Sequence, residues 1–159
     1  MMRFFSMKLC FILPGSEFSS YFLMVWTDLI MKCAQKGHEV MVSQRKTRPE
    51  CFDMCKDMTY DAYMCIDADA VFKPEDIFNL FESPHDVTGA IMMTPDLMML
   101  TCGRPADTVI HEKDYFQADK IEPSFLLIRQ IPEGWNFTDP IAGHIDSRIR
   151  VGHEVTIVV

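Results

Sequence analysis

The stretch YDAYMCIDADAVFKPEDIF, residues 60–78, decides the fold. Its first seven residues form a compact apolar run that predicts a buried strand over 60–66, and the run ends directly in Asp67-Ala68-Asp69. Lys73-Pro74-Glu75-Asp76 follows, with Pro at a first helical position and acids in the first turn, and Ile77, Leu80 and Phe81 then fall on one helical face. A strand delivers two carboxylates at its carboxyl end, and a helix begins just beyond them. Working backward, 8–13 is a short apolar strand closed by Pro14-Gly15. Ser16 then precedes a helix with Phe18, Phe22, Val25, Leu29 and Cys33 on one face. Lys32 and Lys36 complement the dipole of its last turns, and Gly37 supplies the left-handed residue that ends it. Residues 39–43 alternate, with Val40 and Val42 expected inward, which completes a βαβ unit; 49–58 is a second, weaker helix.

Working forward, 86–93 returns as a strand interrupted at Gly89, and 94–117, with Pro95, Gly103 and Pro105, shows no clear period. Residues 124–129 form another apolar strand. Asp139-Pro140 is expected to open a helix with Ile141, Ile145 and Ile149 inward, and Gly152 to precede a last strand. Alternating strands and helices predict a single α/β domain over 1–159: three layers, α/β/α, around a mostly parallel, Rossmann-like sheet. Such sheets bind ligands outside the carboxyl ends of their strands. Three turns are therefore expected to converge on one crevice: Pro14 to Ser16, Ser43 to Arg48, and Asp67 to Asp69.

Composition narrows the function. Fifteen Lys and Arg against 23 Asp and Glu leave a formal net charge of −8, which argues against nucleic acid as a partner. No apolar run is long enough for a transmembrane helix, and Lys8 breaks the opening run that would otherwise resemble a secretory signal. Cys10, Cys33 and Cys65 lie within apolar periodic segments, as buried free thiols do, so a cytoplasmic location is expected. The 13 Met are read as filling irregular gaps in the core. Cys51 and Cys55 have no second pair at zinc spacing, and no glycine-rich phosphate loop occurs. His111, Glu112 and Asp114 make a polar cluster that reads as solvated loop.

The strand running into Asp67-Ala68-Asp69, followed by Phe72, Pro74-Glu75-Asp76 and Asp86-Val87-Thr88-Gly89, resembles the core of GT-A glycosyltransferases. The resemblance spans residues 8–93 and returns more faintly from 124. It implies transfer of a sugar from a UDP- or GDP-linked donor to a sugar or glycan acceptor, with inversion at the anomeric carbon. Asp69, with Asp67 contacting the ribose or sharing the ion, would hold Mn²⁺ or Mg²⁺ on the donor diphosphate, where a fixed cation stabilises the charge that grows as the leaving group departs. Pro14, Ser16, Ser43, Arg48 and Ala68 fall where that family holds the nucleotide, and Arg45 is a second candidate anion contact. Asp139, after the aromatic segment Trp135-Asn136-Phe137, would be the base that takes the acceptor's proton, and Trp135 a platform for the acceptor sugar. Thr138 stands where the family has Glu. His144 reads as a helix residue and His153 as a strand-entry residue rather than as a metal ligand.

Plainer readings stand beside these. Asp67 and Asp69 could cap a solvated turn, Arg48 could be a loop cation, Asp139 a helix N-cap and Trp135 a core residue. Two other functions fit the same pattern: a nucleotidyltransferase on a related sheet, and a noncatalytic nucleotide-sugar binding module.

Overall fold

The computed structural model describes residues 6–93, 112–118, 120–142 and 146–157. In chain order the elements are β1 (Lys8–Pro14), α1 (Ser20–Gln35), β2 (Glu39–Arg45), α2 (Arg48–Cys55), β3 (Ala62–Ile66), β4 (Ala70–Val71), α3 (Pro74–Phe81), β5 (Val87–Met93), β6 (Tyr115–Gln117), β7 (Lys120–Ile121), β8 (Phe125–Ile128), β9 (Ile141–Ala142) and β10 (Ser147–Ile157).

Each helix start has a local cause. The Ser19 hydroxyl caps α1 by accepting from the Phe22 amide at 3.0 Å, three residues after the expected Ser16. Thr47 caps α2 by accepting from the Glu50 amide at 3.3 Å and donating to Glu50 Oε1 at 2.9 Å. Pro74 opens α3, where the Lys73 amide donates to Asp76 Oδ2 at 2.8 Å. Gly37, at φ +79°, ends the α1 segment as expected.

The main sheet runs β2-β1-β3-β8-β5-β10-β4, and β6 also pairs with β10. Pairs β1/β2, β1/β3 and β5/β10 are parallel, whereas β8 is antiparallel to both β3 and β5, and β4 and β6 are antiparallel to β10. The sheet is therefore mixed rather than mostly parallel. Strand β8 arrives from the same end of the sheet at which β3 leaves it: the Asp67 amide donates to Ser124 O at 2.8 Å.

Period-two alternation splits the core between two faces. Leu9, Phe11 and Leu13 pack with Phe22, Leu29 and Cys33 of α1 and Ile77 and Leu80 of α3. Cys10 and Ile12 pack on the other side with Cys51, Phe52 and Cys55 of α2 and with Ile121 and Ile141 of the small β7/β9 ribbon. Among the described residues one helix and a two-stranded ribbon cover this second face, where a full helical layer is expected.

Five further expectations change. Strand β5 runs through Gly89 without a break, because glycine there serves packing: a Cβ would lie 2.9 Å from Ile121 Cγ2 and 3.2 Å from Ile149 Cδ1. Gly89→Ala is therefore expected to cost about 1–3 kcal/mol by overpacking, measurable by urea unfolding. The expected helix after Asp139 is absent from the described residues. Asn136 Oδ1 accepts the Thr138 and Asp139 amides, each at 2.9 Å, and this side-chain turn leads the chain into β9. Ile149 consequently lies in β10, which begins at Ser147 and passes through Gly152, with a register shift between Arg150 and Glu154. Val42 is exposed on the edge strand β2, with Ser43 buried instead, and five Met (24, 31, 41, 54 and 58) are exposed rather than core. Cys10, Cys33, Cys51, Cys55 and Cys65 are all buried and unbridged, and burial pushes the Cys33 thiol up to about 11. His111, His144 and nearly all of the 94–117 segment before Glu112 lie outside the described residues, as does the side chain of His153.

Candidate functional site

The parallel strands β1, β2 and β3 end side by side, and their three outgoing turns meet in a cleft of about 320 Å³. Pro14, Gly15, Lys46, Thr47, Arg48, Asp67, Ala68 and Asp69 line it. The first two turns are stitched together by hydrogen bonds: the Gly15 amide donates to Arg45 O at 2.9 Å, and the side-chain Nε2 of Gln44 donates to Gly15 O at 2.6 Å. Gly15 sits at φ +140°, and a Cβ there would be 3.3 Å from the Ala68 Cβ. Glycine and alanine thus let the first and third turns approach closely enough to share a wall.

Arg48 and Asp67 organise the floor. Arg48 Nη2 is 2.7 Å from Asp67 Oδ1, with 12% and 25% of the two side chains exposed. The same guanidinium donates from Nη1 to Phe137 O at 3.2 Å, while its buried Nε has no partner among the described residues. Burial raises the Asp67 carboxyl above the ordinary carboxylate range. The Arg48 charge and hydrogen bond and a side-chain hydrogen bond from Ser124 oppose that rise. Asp69 is exposed, and its carboxylate accepts no hydrogen bond among the described residues. The triplet therefore presents two different groups, a carboxylate held by a guanidinium and a carboxylate open to solvent. The amino end of α2, capped by Thr47, is the third polar feature of the cleft and favours anions there.

The expected site residues divide accordingly. Pro14, Arg48, Asp67, Ala68 and Asp69 come together in the cleft. Ser16 is exposed in the adjoining turn. Ser43 is fully buried, its hydroxyl donating to Cys51 O at 2.6 Å, so it fastens β2 to α2 instead of facing the cleft. Arg45 donates from Nη1 to Gln44 O at 3.0 Å on the sheet edge. Trp135 packs against Phe52 and Phe137 at ring-centroid distances of 5.9 and 5.1 Å, and its Nε1 donates to Asp139 O at 2.8 Å. Asp139 is exposed and accepts from Asn136 Nδ2 at 2.8 Å. The contact between Phe137 O and Arg48 brings this aromatic loop to the cleft floor. Lys46 and Thr47 lack any motif of their own; their place between β2 and a helix start was the available signal.

A larger hollow of about 600 Å³ lies between α1 and α3, lined by Lys32, Lys36, Glu75 and Phe78 among others. It sits at the carboxyl end of α1, away from the turns that gather the carboxylates. Lys32 there is already paired with Asp28 at 3.1 Å and with Glu75 at 3.2 Å.

Neither a protein-family model nor a curated protein matches this sequence. Among solved structures, the inositol-1-phosphate CTP transferase from T. maritima superposes with a TM-score of 0.51 at 11% identity, covering 96% of this chain and 89% of that one. The two chains share a fold. At that identity the likeness extends to the α/β scaffold alone.

For a hard cation, the described residues offer no group of three His, Cys, Asp or Glu. They offer Asp69 with Asp67 beside it. Of the two, Asp67 is engaged by Arg48 and Asp69 is open, and nothing in an all-oxygen set favours Mn²⁺ over Mg²⁺. No helix among the described residues is long and apolar enough to cross a membrane.

Proposed function

We propose that this protein is a metal-dependent transferase acting on a nucleotide-linked sugar, and that its cleft holds the diphosphate of a nucleotide-diphosphate sugar while the sugar passes to a hydroxyl acceptor. The observation that carries this reading is the charge inventory of the cleft. Among the described residues Lys46 and Arg48 are its two cations, and Arg48 is largely committed to Asp67. The β1–α1 turn adds Glu17 and no cation. Lys46, the α2 amino end, the unpartnered Arg48 Nε and one divalent ion suit a diphosphate better than the more highly charged pair of a nucleoside triphosphate and a sugar phosphate.

In the proposed step the acceptor oxygen attacks the anomeric carbon, the bond from that carbon to the diphosphate breaks, and its electron pair leaves with the diphosphate. Bound Mg²⁺ would supply charge stabilisation to that leaving group. Asp69 would hold that ion, and Arg48 orients Asp67 and opposes the effect of burial on its carboxylate. Asp139 is the proposed base for the acceptor proton. Its support is the Phe137–Arg48 contact, which anchors the 135–139 loop at the cleft, together with its exposed carboxylate. Trp135, braced by Phe52, is the proposed wall of the acceptor side.

Nucleotidyl transfer is the second reading, and the shared fold with a CTP transferase favours it. There a sugar phosphate would attack the α-phosphorus of a nucleoside triphosphate and pyrophosphate would leave. Phosphorus NMR of the protein with Mg²⁺, once with UDP- and GDP-sugars and once with CTP and sugar phosphates, separates the two. Release of nucleoside diphosphate is the expected product; pyrophosphate release would move the assignment to nucleotidyl transfer. Metal-dependent binding with neither product would identify a noncatalytic module, and no binding to any nucleotide would remove the site altogether.

A further inference from the structure

Met41 and Val42 are exposed on β2, which among the described residues is an open edge of the sheet. Edge strands are commonly protected by proline, bulges or central charges. Strand β2, EVMVSQR, has none of these; its charges are Glu39 at one end and Arg45 at the other.

The ladder fixes which backbone groups the edge presents. Strand β1 pairs in parallel with β2, with Lys8 opposite Glu39 and Pro14 opposite Arg45. The Glu39 amide donates to Met7 O and Arg45 O accepts from Gly15 at one side of β2. Glu39, Met41, Ser43 and Arg45 therefore spend their backbone groups on β1, and Val40, Val42 and Gln44 point theirs outward. In the single chain the Gln44 carbonyl is covered by the Arg45 guanidinium at 3.0 Å.

We propose that β2 pairs antiparallel with β2 of a second copy of this chain, about a two-fold axis through Val42. In that register Val42 faces Val42 of the second copy as a hydrogen-bonded pair, and Val40 faces Gln44 in both directions, so every outward group finds a partner. Glu39 then stands directly opposite Arg45 at both ends, an opposite-charge cross-strand pair made twice by symmetry. Centring the axis on Val40 or Gln44 leaves outward groups unpaired and sets neither charge against its opposite. The proposal is independent of the chemistry assigned to the cleft.

Sedimentation velocity of the full chain from micromolar to submillimolar concentration tests it. The wild type is expected to dimerise. Glu39→Arg and Arg45→Glu, both at exposed positions, each place like charges opposite one another and should raise the dimer dissociation constant by about tenfold or more. The double variant, which swaps the two charges, should restore the wild-type constant, a result that misfolding could not produce. A wild type that stays monomeric throughout overturns the proposal, as does a dimer indifferent to the single reversals or one that the double swap fails to restore.

Discussion

Asp69→Ala is expected to lower the metal-dependent transfer rate by about 100-fold or more and to make nucleotide binding indifferent to chelation. The side chain is exposed and accepts no hydrogen bond among the described residues, so its loss should leave folding stability within about 0.5 kcal/mol of the wild type. That separation gives the variant its meaning: an exposed carboxylate beside the buried Asp67–Arg48 pair has no structural task, and a large functional loss without a stability change assigns it to the ligand. Isothermal titration with nucleotide, with Mg²⁺ and after chelation, together with thermal unfolding, measures both halves. Transfer that survives unchanged would refute the metal assignment.

Arg48→Met is expected to behave in the opposite way, with a loss of about 3 kcal/mol in urea unfolding. The substitution keeps an aliphatic stem but removes the 2.7 Å pair with Asp67 and the 3.2 Å hydrogen bond to Phe137 O, leaving a largely buried carboxylate without its cation. The pH dependence follows from the sign of the Asp67 shift. Burial already raises this carboxyl, and Arg48 is what restrains the rise. Without Arg48 the folded-state pKa climbs further above the unfolded value, so between those two values the folded chain binds more protons than the unfolded one. Stability of the variant then falls as pH rises through that window, and its deficit relative to wild type narrows as pH drops through the raised value. Asp67→Leu added to Arg48→Met should recover much of the stability at neutral pH, because the uncompensated charge is gone. A deficit that is the same at all pH values would show that lost packing, not the stranded carboxylate, is responsible.

The amino-terminal half was legible because its local signals agree. Residues 60–78 combine an apolar run, a carboxylate turn and a Pro-Glu-Asp helix start, each pointing to the same architecture. The convergence of three turns followed from topology alone, and five of the expected cleft residues line the cleft. Ser43 misled because a serine just before a turn reads as polar and available, while its burial depends on how α2 lies over β2. The helix expected after Asp139 failed for a different reason. Ile141, Ile145 and Ile149 satisfy a helical period, but Asn136 had already bent the backbone with its own side chain, and short-range hydrogen bonding of that kind leaves no mark on hydrophobic spacing. The reversed direction of β8 was also hidden, since an apolar run of four residues reads the same whichever way it is inserted.

That reversed strand also bears on how the chain is made. Residues 125–128 fill the gap between β3, which ends at residue 66, and β5, which begins at 87, so β3 and β5 both emerge from the ribosome before the strand that joins them. Until then β3 and β5 each carry an open edge of buried-type side chains with no neighbour on that side. Folding must therefore wait for a late, long-range insertion, and the loop entropy spent in bringing residue 126 back to Cys65 and Gly89 favours slow closure of the sheet. A nascent chain stalled before this strand would present two unpaired edges to its neighbours on the same message, the condition under which strand exchange between copies competes with folding within one.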